Sequence, residues 1–181
     1  MKSFLREFLF EIIFVVVFVA VWFSVIQTYE VFQTSMEPNF HEGQRIVVNK
    51  AAYWQWIGNP KRGDVIVLQA PSGSTDDYLK RVIGLPGDTV EITKGVLYIN
   101  DVKMDEPYVK RSFTYSFAKI TVPEDSYFVL GDNRDISNDS HRWGMLARSK
   151  IIGKVFVIYW PLQNWEWVPN FHLDKQLAAA N

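Results

Sequence analysis

The stretch Thr34-Ser35-Met36-Glu37-Pro38 lies only a few residues beyond a long apolar run, and this juxtaposition organises the sequence. Residues 12–23 include no polar side chain, and the apolar character extends from residue 8 to residue 26. At about 1.5 Å per helical residue, the longer stretch covers roughly 28 Å, close to the hydrocarbon thickness of a bilayer. A lone strand cannot satisfy its backbone in lipid, so the run predicts a transmembrane helix. Ser35 is therefore expected near the lipid headgroups.

The charges that flank the apolar run predict its orientation. Lys2 and Arg6 precede the run, and the first cation after it is Arg45. The positive-inside rule then predicts a single-pass protein of the cell membrane. Its expected parts are a cytoplasmic N-terminus over residues 1–7, a transmembrane signal anchor over residues 8–27 and an extracytoplasmic domain over residues 28–181.

A cleaved signal peptide is the main alternative to an anchor. Cleavage requires small residues one and three positions before the cut. Between residues 22 and 28 the only candidates are Ser24 and Thr28, which are four positions apart. The sequence therefore favours an uncleaved anchor.

Composition restricts the chemistry of the remaining chain. The 181 residues leave about one domain after the membrane segment. The net charge of −1 lacks the basic excess that nucleic-acid binding requires, so no nucleic-acid partner is expected. The absence of cysteine excludes disulfides and thiol catalysis. His41, His141 and His172 have no ligand-like spacing, so we expect neither a metal nor a cofactor.

Short β-rich runs separated by turn residues fill the chain after Pro38. Strands at such spacing are typical of antiparallel β structure, which predicts a mainly β domain behind one N-terminal helix. Leu85-Pro86-Gly87-Asp88 has proline and glycine at the central positions of a type II turn. Residues 101–116 are the most polar and irregular, and we predict a small excursion from the main sheet. The predicted strands cover residues 45–49, 65–68, 78–84, 89–93, 96–99, 120–122, 127–130 and 151–160.

Two adjacent cations interrupt one of these strands. On a strand, Lys80 and Arg81 point to opposite faces, and their neighbours on both faces are largely apolar. Both cannot be well solvated, so at least one is expected to be buried with a partner. Taken alone, the pair favours an edge strand whose cations extend to solvent.

Residues 131–140 form a polar stretch after the apolar Phe128-Val129-Leu130. A solvated loop whose side chains cap its own backbone is the simplest interpretation. A calcium loop is disfavoured, because the spacing differs from the Asp-rich pattern and no glutamate closes it.

Four segments follow the apolar run in series. They are Ser35-Met36-Glu37-Pro38, then Arg62-Gly63-Asp64-Val65-Ile66-Val67, then Lys80-Arg81-Val82-Ile83-Gly84-Leu85-Pro86-Gly87-Asp88, and Gly131-Asp132-Asn133-Arg134-Asp135 with Ser137, Asp139 and Ser140. In order and spacing these segments resemble the type I signal peptidases. The resemblance extends from the anchor to about residue 160, and together the four segments are highly specific.

The resemblance implies a membrane-bound serine endopeptidase that removes signal peptides from exported proteins, with an antiparallel β scaffold and a Ser/Lys dyad. Ser35 corresponds to the nucleophile and Lys80 to the general base. Ser137 is expected to orient Lys80 through a hydrogen bond, and Asp139 to pair with Arg81. The implied partners are signal peptides and the lipid bilayer, and the protein is expected to be monomeric. Asp132 and Arg134, in the same loop, complete the supporting residues.

The dyad agrees with elementary chemistry. A lysine activates a serine hydroxyl only when it is neutral, so its unperturbed pKa near 10.4 must fall by about two units or more. Burial lowers the pKa of a cation in this way. The backbone N–H of Ser35 is expected to stabilise the oxyanion. The second hydrogen bond comes from Gln33, from Thr34 or from neither.

Three residues depart from the family pattern. Asn39 replaces a usual threonine, and Gln33 stands where some members carry a serine. His141 occupies a usual arginine position and is followed by Arg142. An inactive relative that binds precursors, and a self-cleaving Ser/Lys peptidase of the repressor type, are alternatives. Ser35 and Lys80 are both present and the chain begins with an anchor, which favours the peptidase.

Overall fold

The computed structural model describes residues 2–54, 56–71, 76–171 and 173–180, with side chains from residue 6 onward. The chain begins with helix α1 (Lys2–Val25). Within it, Arg6–Val25 is long and apolar enough to cross a membrane, at roughly 30 Å for its 20 residues. The side chains of residues 6–24 are exposed in the protein, so this apolar surface has no protein partner within the described residues.

Twelve strands follow α1 in the part of the chain that the structure describes. Two further helices are α2 (Ser140–Trp143) and α3 (Leu173–Ala180), and short 3-10 helices span Lys50–Tyr53, Arg148–Lys150 and Leu162–Asn164. The strands are β1 (Ile26–Glu30), β2 (Arg45–Asn49), β3 (Val65–Gln69), β4 (Asp77–Gly84), β5 (Thr89–Thr93), β6 (Val96–Ile99), β7 (Val102–Lys103), β8 (Phe117–Thr121), β9 (Ser126–Leu130), β10 (Leu146–Ala147), β11 (Ile151–Trp160) and β12 (Glu166–Trp167).

The strands form two antiparallel sheets. The larger sheet has the order β1-β2-β11-β3-β4-β9-β10, with β12 paired to β11. The smaller sheet has the order β7-β6-β5-β8. Every described pairing is antiparallel, which confirms the predicted fold class.

Strand β4 lies at the centre of the larger sheet, between β3 and β9, and carries both adjacent cations. Its register places Lys80 opposite Ile66 and Arg81 opposite Val65. The edge-strand interpretation is therefore wrong, because both backbone edges of β4 are paired.

The two sheets meet where β4 ends. Gly84 fits there because a Cβ atom at this position would lie 2.7 Å from Val90 Cγ2 and 3.0 Å from Phe128 Cβ. The next four residues form the predicted type II turn: the N–H of Asp88 donates to Leu85 O at 3.0 Å, and Gly87 has a φ of +84°. A buried apolar cluster joins β4, β9, the smaller sheet and α3; it contains Ile83, Val90, Ile92, Leu97, Ile99, Phe128 and Leu173.

Two features differ from the sequence-based expectation. Strand β1 follows α1 without a linker and was not predicted, because no turn residue separates it from the preceding apolar run. The excursion over residues 101–116 contains β7 and is tightly docked, since Met104, Tyr108 and Phe113 are buried in the cluster that joins the sheets.

Candidate active site

Ser35 lies in a compact turn that the core holds in place. The N–H of Glu37 donates to Thr34 O at 3.1 Å, and the N–H of Phe40 donates to Met36 O at 3.0 Å. Met36 and Phe40 are buried in an apolar cluster with residues of β2, β3 and β11. The turn therefore projects Ser35 from a packed base, and the serine itself is only 7% exposed.

The turn is tied to the loop over residues 131–140. The N–H of Asn133 donates to Ser35 O at 3.0 Å, and its side-chain amide donates to Thr34 O at 3.2 Å. The close approach requires a glycine at position 131, because a Cβ atom there would lie 2.5 Å from Ser35 O and 2.2 Å from Ser137 Oγ.

Lys80 reaches Ser35 from β4. Its Nζ donates to Ser35 Oγ at 2.9 Å and to Leu79 O at 2.8 Å, and it lies 5.2 Å from the centre of the Tyr78 ring. The lysine is 1% exposed. The structure thus brings the predicted nucleophile and base into direct contact, although they are 45 residues apart in sequence.

The environment of Lys80 favours its neutral form. Burial lowers the pKa of the lysine from 10.5 to about 8, against a smaller opposite effect of the Asp139 and Asp132 carboxylates. The neighbouring atoms that Nζ contacts are neutral oxygens, which do not compensate an ammonium charge as an ion pair would. A substantial fraction of Lys80 is therefore unprotonated in mildly alkaline solution.

Arg81 points away from Lys80 and pairs with Asp132, not with Asp139 as predicted. Its Nε and Nη2 donate to the two carboxylate oxygens of Asp132 at 2.8 and 2.7 Å, and its Nη1 donates to Gly63 O at 3.0 Å. The guanidinium also lies over the Tyr108 ring, at 4.4 Å from its centre. Arg81 keeps its charge in a buried, bidentate ion pair.

Asp139 is fully buried, and its acceptor positions are occupied within its own loop. One oxygen accepts the N–H of Gly131 at 2.9 Å, and the other accepts the N–H of His141 at 3.1 Å as the N-cap of α2. The same oxygen lies 2.7 Å from His141 Nδ1. These contacts explain why Asp139 does not reach Arg81.

The expected hydrogen bond between Ser137 and Lys80 is not formed. Ser137 is buried, but its hydroxyl has no hydrogen-bond partner within the part of the chain that the structure describes. Lys80 instead uses the serine nucleophile and Leu79 O. Ser137 contributes a buried, unpaired hydroxyl beside Gly131 and the nucleophile turn.

Asn39, which sequence reasoning treated only as a departure from the family pattern, connects three parts of the site. Its amide nitrogen donates to Asp132 Oδ2 at 2.8 Å and to Tyr108 O at 2.8 Å. The residue thereby joins the nucleophile turn, the 131–140 loop and the excursion. The sequence feature that could have identified Asn39 as a site residue is its position directly after Pro38.

Arg134 anchors the same loop to the excursion. Its guanidinium forms a bidentate ion pair with Glu106, and its Nε donates to Gly131 O at 3.2 Å. The Tyr108 hydroxyl donates to Glu106 at 2.7 Å. Arg134 is buried, so its role is to hold the loop behind the dyad.

A cleft of about 500 Å³ opens beside Ser35. Gln33 lines this cleft and is exposed, whereas Thr34 does not contribute to its walls. The N–H of Ser35 donates no hydrogen bond to the described residues, which leaves it available to a ligand. The apolar lining is formed by Val31, Phe32, Ile46, Val67 and Leu79.

No group of three or more His, Asp and Glu side chains among the described residues is arranged to hold a metal ion.

Comparison with known proteins identifies related sequences. A family model described as signal peptidase, peptidase S26, matches residues 4–160. Signal peptidase IB of Staphylococcus aureus is 34% identical over 169 residues, which are 83% of this chain and 85% of that protein. Signal peptidase I of Leptolyngbya laminosa is 41% identical over 136 residues, which are 71% of this chain and 66% of that protein.

Two further matches cover a smaller share of one of the two proteins compared. A protein named probable signal peptidase I-2 from Synechocystis sp. is 38% identical over 134 residues, and the match spans 71% of this chain and 61% of that protein. A crystal structure of a signal peptidase I from Enterococcus faecalis is 36% identical, with a TM-score of 0.49 over 54% of this chain and 97% of that chain.

Proposed function

The chain belongs to the signal peptidase family, peptidase S26, and on this premise we propose that it is a membrane-anchored serine endopeptidase that removes signal peptides from exported precursors. The observation that carries the proposal is the 2.9 Å contact between Lys80 Nζ and Ser35 Oγ in a buried setting. An inactive precursor-binding relative would not need this contact.

The dyad supports a two-step acyl transfer. Neutral Lys80 accepts the proton of Ser35 Oγ as the oxygen bonds to the substrate carbonyl carbon. The C–N bond then breaks, and the Lys80 ammonium returns the proton to the leaving amine. Lys80 next removes a proton from water, which attacks the acyl-Ser35 ester. In the collapse of this second intermediate the ester C–O bond breaks, the Lys80 ammonium returns its proton to Ser35 Oγ, and the released carboxylic acid loses its proton to solvent.

The oxyanion of each tetrahedral intermediate needs preorganised donors. The free N–H of Ser35 supplies the first. We assign the second to the Gln33 side chain rather than to Thr34, because only Gln33 lines the cleft. Loss of one such donor costs about 10²–10³ in kcat, so Gln33→Ala is expected to lower kcat, with a smaller effect on KM.

The cleft fits an extended peptide with small side chains. Ser35 lines the cleft together with the branched apolar side chains of Val31, Ile46 and Leu79. We propose that cleavage follows small residues of the substrate. Signal peptides that carry a bulky residue immediately before the cut are expected to be poor substrates.

Helix α1 gives the enzyme its location. Its exposed apolar surface is compatible with a lipid environment and costly in water. We propose that it spans the membrane with a cytoplasmic N-terminus, that residues 28–181 form one extracytoplasmic catalytic domain, and that the protein acts as a monomer. Cysteine labelling at positions 3 and 73 in sealed membranes, with an impermeant reagent, tests the orientation.

Processing of a precursor tests the function directly. The full chain, reconstituted in liposomes, is incubated with a radiolabelled precursor, and the new N-terminus is sequenced. We expect one cut after a small residue, and none with Ser35→Ala. Cleavage that persists in the alanine variant would overturn the proposal.

A further inference from the structure

His141 joins two charged groups through its two ring nitrogens. Nδ1 lies 2.7 Å from Asp139 Oδ1, and Nε2 accepts the Nε–H of Arg142 at 3.2 Å. The imidazole is mostly buried, with 14% of its side chain exposed, whereas the Arg142 side chain is exposed. The ring therefore has one partner that can only accept and one that can only donate.

This pair of contacts selects one form of the ring. An arginine Nε–H only donates, so Nε2 must carry a lone pair. The Asp139 oxygen already accepts the N–H of His141, and the other oxygen accepts the N–H of Gly131, as expected for a buried carboxylate. Nδ1 must then carry the hydrogen. A doubly protonated imidazolium would place two N–H groups face to face and release Arg142.

The groups packed around the ring preserve this arrangement. Tyr115, from the excursion, stacks on the imidazole with ring centres 4.5 Å apart and an interplanar angle of 19°. The Tyr115 hydroxyl has no hydrogen-bond partner among the described residues. The charged partners of the imidazole are Asp139 and Arg142, and the charged groups that act on the stacked Tyr115 are Arg134, Asp139, Glu106 and Asp135. Stacking fixes the plane of the ring, and the hydrogen bonds fix its tautomer.

We propose that His141 acts as a neutral relay, with its hydrogen on Nδ1, which couples Arg142 to Asp139 and positions that carboxylate beside the Ser/Lys dyad. His141 is a positioning residue, since it touches neither the nucleophile nor the base. The proposal rests on the proposed function only for its kinetic consequence, because the protonation state of the ring is measurable without substrate.

His141 affects the pKa of Lys80 through the charge of Asp139. The Asp139 carboxylate raises the pKa of Lys80, and it opposes the larger effect of burial. A neutral donor holds Asp139 in place without cancelling its charge. An arginine at position 141 would place a full cation against the carboxylate and reduce its effect. A histidine and an arginine at position 141 would therefore set the pKa of Lys80 differently.

Nitrogen NMR of the ring tests the tautomer. The chain has three histidines, so ¹⁵N-labelled full-length protein in detergent micelles gives few ring signals, and His41→Gln and His172→Gln assign them by elimination. Between pH 7 and 9 we expect Nδ1 to have the shift of a protonated nitrogen and Nε2 that of an unprotonated acceptor. Arg142→Gln should move the Nε2 signal and leave the Nδ1 signal. An imidazolium, or hydrogen on Nε2, over this range would overturn the proposal.

The pH dependence of cleavage tests the coupling. His141→Arg is expected to lower the midpoint of the rising limb of kcat/KM by about half a pH unit. His141→Asn, which keeps a donor near Nδ1, should stay within about 0.2 pH units of wild type, as should the exposed-site control His41→Gln. An unchanged midpoint in His141→Arg would refute the coupling. If no variant or wild-type protein cleaves precursor, the proposed function fails, while the NMR result still decides the relay.

Discussion

Lys80 and Arg81 are neighbours on β4 and are equally buried, each 1% exposed, yet the protein treats the two cations in opposite ways. Arg81 has a bidentate carboxylate partner and a carbonyl acceptor, and it lies over an aromatic ring. Lys80 also lies near a ring, that of Tyr78, but among the described residues its hydrogen bonds go only to a hydroxyl and a carbonyl, and it has no carboxylate partner. Burial with a counter-ion preserves a charge, whereas burial without one promotes loss of the proton. The alternation of a single strand thus separates a structural cation from a reactive amine.

Replacing Lys80 by a cation that stays protonated should have the largest effect on cleavage. Lys80→Arg keeps the positive charge but cannot lose a proton near neutral pH, so kcat/KM for precursor cleavage should fall by more than about a thousandfold. Ser35→Ala should lose as much, and both variants should retain the circular dichroism spectrum of wild type. Substantial cleavage by Lys80→Arg would remove the lysine from the role of base.

Removing the counter-ion of Arg81 should chiefly affect stability. Asp132→Asn leaves a buried guanidinium without its carboxylate, which should lower the free energy of unfolding by about 3–5 kcal/mol. The matched control is Asp101→Asn, which breaks the exposed pair with Lys119 and should cost less than about 1 kcal/mol. Urea denaturation compares the two. Equal losses would show that Arg81 does not depend on its partner.

Removing the amine of Lys80 should instead stabilise the fold at neutral pH. Burial lowers the pKa of Lys80 from its ordinary value of 10.5 to about 8 in the folded protein. At pH 7 the protein must therefore bury a cation that the unfolded chain keeps in water, which costs on the order of 3 kcal/mol. Lys80→Met should recover part of this free energy.

The pH dependence gives the sign of the effect. Because the folded pKa is depressed, wild-type stability should rise as the pH increases from about 8 to about 10.5. The advantage of Lys80→Met should be greatest below pH 8 and should vanish near pH 10.5. An advantage that is constant over this range would mean that Lys80 is not desolvated as a cation.

The smallest expected effect concerns the carboxylates around the dyad. In wild type, kcat/KM should rise with pH along a limb with a midpoint near the Lys80 pKa of about 8. Asp139→Asn removes a charge that raises this pKa, so the midpoint should move to lower pH by less than about one unit. Asp101→Asn, far more exposed, should leave it unchanged. A shift to higher pH in Asp139→Asn would contradict the assigned direction.

The sequence was sufficient to predict most of the sheet, and the family resemblance paired Ser35 with Lys80, which the structure places in contact. Alternation along residues 78–84 placed Lys80 and Arg81 on opposite faces, and the structure bears this out. The choice of partner for Arg81 was not predictable from spacing. Asp132 and Asp139 lie in one loop, and only the folded loop shows that the second is occupied by Gly131 and His141.

Two other features, strand β1 and the packing of the excursion, could not be predicted from local sequence patterns. Strand β1 has no turn residue before it, so its start could not be separated from the apolar helix. The excursion is polar overall, yet Tyr108 and Glu106 within it support Arg81 and Arg134. Such long-range contacts depend on a few side chains in a polar segment, which average hydropathy does not reveal.

The direct passage from Val25 in α1 to Ile26 in β1 has a mechanical consequence. Strand β1 is paired along its length to β2, so it is not a flexible linker. A change in the tilt of α1 is therefore transmitted to the sheet. Transmembrane helices adjust their tilt to the thickness of the surrounding lipid. With α1 in a bilayer, the length of the lipid chains therefore affects how far the cleft lies from the membrane surface and how it is tilted. The rate of cleavage is then a property of the enzyme and its membrane together.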